Sequence, residues 1–308
     1  MMSQQIAIPG VVRIMEVGPR DGLQNEAVLV PTSDKIEFIN NLVEAGIRRI
    51  EVSAFVSPQW IPPLADQLEV AMGFNKKSGV SYAALVPNVR GYERAMSTKQ
   101  IDEVSIVVAA SEQHNKKNLN ADTRQVMARY AEVAVRAHAD RCRFRAYISC
   151  VFGCPYEGRV DAGRVLDLAL ELLDFGAYEI SLGDTIGVAS PLATLNMLEK
   201  ILKVIDKSKI ALHMHDTRGL ALANIWAALT MGIEAFDSSA GGLGGCPYAP
   251  GAAGNVATED LVNMFDSIGV STGIAVEKVS LASIIMEKVL GKKVPAKMVA
   301  LCRPASSR

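Results

Sequence analysis

Arg13-Ile14-Met15-Glu16-Val17 runs directly into Gly18-Pro19-Arg20-Asp21-Gly22-Leu23-Gln24, and this junction separates the two folds that the rest of the chain allows. The first five residues form a short, largely apolar run of the kind that makes a buried strand. In an open, doubly wound sheet that binds a dinucleotide, such a strand is followed by a glycine-rich turn that lets backbone approach the pyrophosphate. Here the turn carries an arginine and an aspartate. That is the wrong chemistry for a dinucleotide.

Outward from this junction the same unit recurs. Strand candidates are Arg13–Val17, Arg48–Ser53, Ser81–Val86, Glu103–Ala109, Arg143–Cys150, Tyr178–Gly183, Lys209–His215 and Ala235–Ser239. Helical apolar spacing separates many of them, over Ser33–Ala45, Ala121–Ala139, Ala162–Phe175, Pro191–Ile205 and Gly219–Met231. Several of these open on Thr, Ser, Asp or Pro and close on Gly, the ordinary signals of helix ends. Eight strands alternating with helices predict a closed (β/α)8 TIM barrel, because a parallel sheet must be covered on both faces and closure removes its edges. Asn255–Gly269 and Val276–Leu290 read as further helices, before a basic tail with Lys292, Lys293 and Lys297. No linker interrupts the pattern, so residues 1–308 are expected to form one barrel domain with a C-terminal helical extension from about 270 to 308.

Composition narrows the function. Of 308 residues 49% are apolar and 21% charged, with 32 Lys+Arg against 33 Asp+Glu, which excludes a disordered or fibrous chain. No basic patch offers the counterion-release footprint of a nucleic-acid binder, and no apolar run is long enough to cross a bilayer. Five cysteines are too few and too odd in number for a disulfide framework, which predicts a reducing, cytoplasmic setting. Neither a secretory nor an organellar leader is expected from residues 1–12. Small molecules are the expected partners.

A barrel of this kind works at the C-terminal ends of its strands. The polar residues there are Arg20 and Asp21 after strand one, Glu51 in strand two, Asp184 after strand six, His213 and His215 in strand seven, and Cys246 and Asn255 after strand eight. In Leu212-His213-Met214-His215-Asp216 the two imidazoles lie two residues apart, on one side of a strand, and suit a divalent cation; interior histidines bonded to neighbours are the bland alternative. Asp21 adds a hard oxygen or makes an Asx turn, and Asn255 completes the donor set or caps the next helix. Arg20 is placed to hold an oxyanion, or else pairs with a surface carboxylate. Ala240–Gly254 has six glycines in fifteen positions and reads as a mobile lid bearing Cys246, or as a structural turn with an inert thiol. Cys150 and Cys154 are assigned to packing, His114 and His138 to the surface, and Lys116-Lys117 to a solvated pair near enough to the mouth to meet a phosphate.

Four stretches together carry a resemblance: Glu16–Asn25, Tyr147–Gly158 around Cys-Pro-Tyr-Glu-Gly, Glu179–Gly187, and Ala240–Val262 with Gly-Leu-Gly-Gly-Cys-Pro-Tyr. Through them the chain, from Arg13 to about Cys302, resembles the 3-hydroxy-3-methylglutaryl-CoA lyase family of barrel metallolyases. The resemblance implies Mg²⁺ or Mn²⁺ held by Asp21, His213, His215 and Asn255, with Arg20, Gln24, Glu51, Asp184, Cys246 and Glu259 in or around catalysis. It implies an acyl-CoA substrate, cleavage to acetoacetate and acetyl-CoA as in leucine degradation, and a homo-oligomer, dimer or tetramer. Gln24, Lys116, Lys117, Arg145, Arg218 and Lys293 form the expected substrate and CoA-binding set, and Glu259 stands behind the metal ligands.

The residue types suit a retro-Claisen cleavage. A divalent ion acidifies the C3 hydroxyl, Asp184 takes its proton directly or through His213, Arg20 stabilises the thioester enolate, and Cys246 protonates the enolate carbon. Three positions depart from the family pattern: Arg218-Gly219-Leu220 where Tyr-Gly-Gln is common, Ala54 in place of serine, and Gly291 in place of asparagine. They leave room for a related branched 3-hydroxy diacid thioester, malyl-type or isoprenoid-extended. The remaining alternatives are a 2-alkylmalate-type Claisen synthase and a non-catalytic barrel that binds metal or CoA.

Overall fold

The alternation of buried runs and amphipathic segments resolves, in the computed structural model, into a closed ring of parallel strands. The structure describes residues 7–245 and 253–303. The strands are β1 (Arg13–Glu16), β2 (Arg49–Ala54), β3 (Ser81–Leu85), β4 (Glu103–Ala109), β5 (Arg143–Ser149), β6 (Glu179–Asp184), β7 (Ile210–Met214) and β8 (Ala235–Ser238), paired in chain order. The ring closes where β8 pairs with β1, from Ala235 opposite Arg13 to Ser238 opposite Glu16. All eight expected strands are present, with every boundary within one residue of its expected place.

Around the ring lie α1 (Thr32–Glu44), α2 (Gln67–Gly73), α3 (Val89–Ser97), α4 (Glu112–Leu119), α5 (Thr123–Ala139), α6 (Ala162–Asp174), α7 (Pro191–Leu202) and α8 (Ala221–Thr230). The caps anticipated from sequence carry the long ones. Asp122 and Gln125 form a reciprocal capping box on α5, Asp161 accepts the amides of Gly163 and Arg164 on α6, and Ser190 caps α7 with Pro191 at its first position. Helices α2, α3 and α4 were not anticipated, being short and, in α4, almost without apolar residues. One reading is corrected here: His114, expected at the surface, is buried at 4% exposure on the inner side of α4, and burial lowers its pKa to about 4.

Three further helices, α9 (Thr258–Ser267), α10 (Val276–Leu290) and α11 (Lys297–Cys302), continue past the ring. Asp260 on α9 accepts the amides of Lys297 and Met298 at 3.0 and 2.8 Å, which starts α11, and α10 lies against α1. The main apolar core runs between the outer face of the ring and the helices and includes residues from β1 through α11. The inside of the ring is different. Beside a small cluster of Met15, Val17 and Ala83 it holds Glu51, Ser105, Arg145, Ser181 and Asp237, all buried. Among the described residues no helix is long and apolar enough to cross a membrane.

Candidate active site

The turn after β1 aims its two charged residues into the ring. The amides of Arg20, Asp21 and Gly22 converge on the carbonyl of Val17 at 3.1, 2.7 and 3.2 Å, a single wide turn of π type. Behind it Glu16 accepts the amides of Gly18 and Ala240 at 2.7 and 2.9 Å and the Thr258 hydroxyl at 2.6 Å, tying the turn to the segment after β8. A side chain at position 18 would put its Cβ 2.6 Å from Glu16 Oε1, so this close approach requires glycine. Burial pushes the Glu16 carboxyl up to about 7 against these hydrogen bonds.

Arg20 is held on two sides. Its Nε donates to Glu51 Oε2 and its Nη1 donates to Asp21 Oδ1 at 2.5 Å. Glu51 Oε1 in turn accepts the Ser105 hydroxyl and, at 3.4 Å, the Tyr147 hydroxyl. Burial works against the Arg20 charge, but Glu51 and then Asp21 outweigh it and raise its pKa. The result is a guanidinium fixed in place at the cavity wall, 5.6 Å from the centre of the Tyr147 ring.

Beside it the histidines converge. His213 and His215 bring their Nε2 atoms to 3.2 Å, and Asp21 Oδ2 lies 3.9 Å from His213 Nε2; one donor atom from each of the three lies within 4.8 Å of the others. An antiparallel bridge between His215 and Asn255 brings the fourth expected donor alongside. The Asn255 amide donates to Asp21 Oδ2 at 2.9 Å and to the Leu243 carbonyl at 3.1 Å, which leaves its own oxygen as the atom to give an ion. Gly244 has φ +93°, and a Cβ there would meet the Asn255 amide nitrogen at 2.7 Å.

This donor set fits a divalent ion. Two ligands at right angles about ~2.1 Å from an octahedral cation are roughly 3 Å apart, close to the spacing of the two imidazole nitrogens. Burial, then the neighbouring His213, lowers the His215 pKa to about 3, so that ring is neutral and has a lone pair to offer. Burial alone would raise the Asp21 carboxyl, but Arg20 and then His213 bring it down to about 2, so it is ionised. Two imidazoles, a carboxylate and an amide oxygen form a donor set for a divalent cation.

A cavity of about 800 Å³ opens over this cluster. Arg20, Asp21, Gln24, Tyr147, His213 and His215 line it, with Lys117 and Trp60 toward the rim. Lys116, expected beside Lys117, instead faces a separate outer groove among α4, α5 and α6, 3.9 Å from Glu112. Arg218 is exposed, with its charge acting on Asp184. Lys293 is 73% exposed and lies 3.4 Å from Glu287. Glu259 is buried, accepts the Gly241 amide and the Ser283 hydroxyl, and is raised to about 7 by burial. Cys246 lies outside the described residues, as do positions 246–252 of the expected lid. Cys150 and Cys154 are buried, Cys154 against the Ser111 hydroxyl at 2.9 Å.

One expectation changes. Arg145 is not a wall residue: its side chain is wholly buried inside the ring, with Nε donating to Glu179 at 2.7 Å and Nη2 to Asp237 at 2.6 Å. Its Nη1 also donates to Asp237 at 3.3 Å, and the guanidinium carbon lies 4.7 Å from the Tyr147 ring centre. Asp184 is buried between the cavity-lining residues Gly183 and Thr185, and its two oxygens accept the amides of Val188 and Ala189, each at 2.9 Å. Burial outweighs those two bonds and raises its pKa. It organises the loop before α7 rather than capping that helix, whose cap is Ser190.

Tyr147 and Asp237 were missed from sequence. Tyr147 presents its ring edge-on to His213, with centroids 6.1 Å apart and planes at 85°. Its signal is the alternation Arg145, Tyr147, Ser149 along β5, the same period of two that singled out the histidines. Asp237 pairs in register with His213 on β7 and Met15 on β1, which a strand-by-strand reading does not show.

With this geometry in hand, comparison with known proteins is informative. Residues 11–285 match the family model described as HMGL-like. The chain belongs to the HMGL-like family. A hydroxymethylglutaryl-CoA lyase of Bacillus subtilis is 49% identical over 289 residues, covering 94% of this chain and 96% of that protein. The crystal structure of Bacillus subtilis HMG-CoA lyase superposes with a TM-score of 0.94 at 48% identity, over 96% of this chain and 98% of that one. An HMG-CoA lyase from Acinetobacter baumannii in complex with coenzyme A and 3-methylmalate gives 0.91 at 38% identity, covering 97% of each chain. The closed barrel with helices beyond its eighth strand is therefore the architecture of HMGL-like lyases of known structure.

Proposed function

We propose that the protein is a metal-dependent carbon–carbon lyase that cleaves 3-hydroxy-3-methylglutaryl-CoA to acetoacetate and acetyl-CoA. The observation that carries this reading is the convergence of Asp21, His213 and His215 on one point of the cavity wall, next to the fixed Arg20 guanidinium. A divalent ion, Mg²⁺ or Mn²⁺, supplies Lewis acidity to the substrate hydroxyl and a neighbouring oxygen when bound there. The chain's own residues do the rest. Asp21, His213, His215 and Asn255 hold and orient; Arg20, with its charge maintained by Glu51, faces the thioester oxygen on which negative charge develops.

Asp184 is the proposed acceptor of the hydroxyl proton, since burial raises its carboxyl above the ordinary range and each oxygen keeps a lone pair beyond its amide bond. Cys246 is the proposed donor to the enolate carbon. Gln24 and Lys117 line the cavity where the acyl and CoA parts are to lie, and Arg218 and Lys293 stand exposed outside it. The enzyme is further proposed to be a cytoplasmic homo-oligomer.

The experiment is an assay of protein stripped by a chelator and reconstituted with Mn²⁺ or Mg²⁺ against a panel of branched 3-hydroxyacyl-CoA diacids. Metal-dependent release of acetyl-CoA and acetoacetate from the methylglutaryl thioester is the expected result. Preference for a malyl-type thioester would shift the substrate within the same chemistry, a reading supported by the 3-methylmalate held by the Acinetobacter relative. No cleavage of any member would refute the assignment.

A further inference from the structure

Beneath the donor cluster a line of buried side chains crosses the inside of the ring. Glu179 accepts Arg145 Nε at 2.7 Å, Arg145 holds Asp237 through Nη2 at 2.6 Å and Nη1 at 3.3 Å, and the Ser181 hydroxyl donates to Asp237 Oδ2 at 2.6 Å. Asp237 Oδ2 then lies 3.3 Å from His213 Nδ1, in contact but off the line of a well-formed hydrogen bond. That nitrogen is buried and makes no well-formed hydrogen bond with any described residue. Nothing in the expected site set included Asp237.

We propose that Asp237 is a positioning residue that keeps the proton of the His213 ring on Nδ1, so that the Nε2 lone pair is the atom turned toward Asp21 and His215. An ionised carboxylate has only acceptor sites, so Asp237, held in place by Arg145 and Ser181, can offer Nδ1 lone pairs but no proton. Facing it with an unprotonated Nδ1 would set lone pair against lone pair in a buried place; a proton on Nδ1 turns the same contact attractive. The tautomer is thereby decided from below. On the other side Nε2 of His213 accepts from Nε2–H of His215 in ion-free protein, consistent with their separation of 3.2 Å, or gives its lone pair to a cation. Both nitrogens of His213 are then committed, which makes it a ligand and not a proton relay for Asp184. The Tyr147 ring edge and the Arg145–Glu179 pair restrict the rotation and shift that would undo this alignment.

The inference deepens the metal reading of the site and rests on it for its consequence, but its first test does not involve metal. In ion-free protein labelled with ¹⁵N-histidine, His213 is expected to carry its proton on Nδ1, with Nε2 showing the shift of an unprotonated nitrogen. Only four histidines have to be assigned. A proton found on Nε2 of His213 in the wild type overturns the proposal, whatever the variants do. Asp237→Asn is expected to populate the other tautomer and to weaken Mn²⁺ binding by about 10–100-fold, counted as free Mn²⁺ by electron paramagnetic resonance. A folded Asp237→Asn protein with wild-type tautomer and wild-type Mn²⁺ affinity also overturns it. Should Asp237→Asn fail to fold, Ser181→Ala loosens the same carboxylate without touching His213, and its expected effect is a several-fold loss of Mn²⁺ affinity with the tautomer retained; unchanged affinity counts against the proposal. Wild-type protein with the expected tautomer but no Mn²⁺ uptake would refute the metal reading while upholding the Asp237–His213 assignment.

Discussion

Two levels of the same barrel interior carry charge in opposite ways. In the lower level Arg49, Glu103, Arg145, Glu179 and Asp237 close on one another, with Tyr178 bonded to Glu103 and Arg49 and the exposed Arg143 reaching in to Glu103 at 2.8 Å. In the upper level Arg20 is anchored on Glu51 and on Asp21 Oδ1, while Asp21 Oδ2 and the two imidazoles turn donor atoms toward a common point. Burying ions is costly unless each is paired and bonded, so a closed network is spent on holding shape. A converging but incompletely matched set is what a ligand must finish. The direction of the lone pairs distinguishes frame from site.

The largest expected effect tests that division at its weakest point, because Asp184 sits at the upper level with both oxygens already bonded to backbone. If it accepts the substrate proton, Asp184→Asn lowers kcat by about 10²–10⁴-fold with Mn²⁺ uptake unchanged. Full turnover in that variant would return Asp184 to the frame. At the lower level, Glu179→Gln leaves Arg145 and Arg49 short of negative charge in a buried place. A loss of about 3–5 kcal/mol in urea unfolding is expected, with Mn²⁺ affinity of the folded protein within about twofold. Lost affinity with retained stability would merge the two levels.

Arg20→Gln probes the anchored cation of the upper level. Removing one preorganised group that faces developing negative charge should cost about 10²–10³-fold in kcat with a smaller change in KM, read from steady-state acetyl-CoA release. The smallest effect concerns pH. Glu259 is raised to about 7 by burial from an ordinary 4.5, so between those values the folded protein keeps a proton that the unfolded chain has released. Its contribution is therefore complete below pH 4.5 and is lost as the pH rises through 7, at up to ~1.4 kcal/mol per pH unit. Asp21, lowered from 3.8 to about 2, acts in the other direction and only in more acid solution. Glu259→Gln, which keeps the neutral form, should be relatively more stable than wild type at pH 8 than at pH 5, by about 2–3 kcal/mol in urea midpoints converted at a common slope.

What sequence conveyed about this molecule follows the same line. Strands of a parallel barrel are buried on their outer face by helices, so they appear as short apolar runs; β4 was placed at Glu103–Ala109 to the residue. The donor cluster was legible because His213 and His215 share a strand and a period of two. Arg145 misled for a geometric reason: an inward-facing arginine belongs to the mouth or to the interior according to the stagger of neighbouring strands, and only the pairing of Arg145 with Glu179 settles its height. Asp237 was invisible for the same reason, being brought beside His213 only through the register of β7 with β8. His114 lies in a helix with little apolar pattern, where only the packing of α4 decides which polar side chain turns inward.

One consequence lies in the order in which the chain is made. Asp21 belongs to the first turn of the ring, the histidines to its seventh strand and Asn255 to the stretch beyond the eighth, on both sides of the seam where β8 meets β1. No partial product of synthesis short of that asparagine owns all four groups, and none can bring the first to the last until the cylinder is shut. Cation uptake at the proposed site would thus be a late event that reports closure, and by favouring the shut form over any opened one it would act as a rivet across the join.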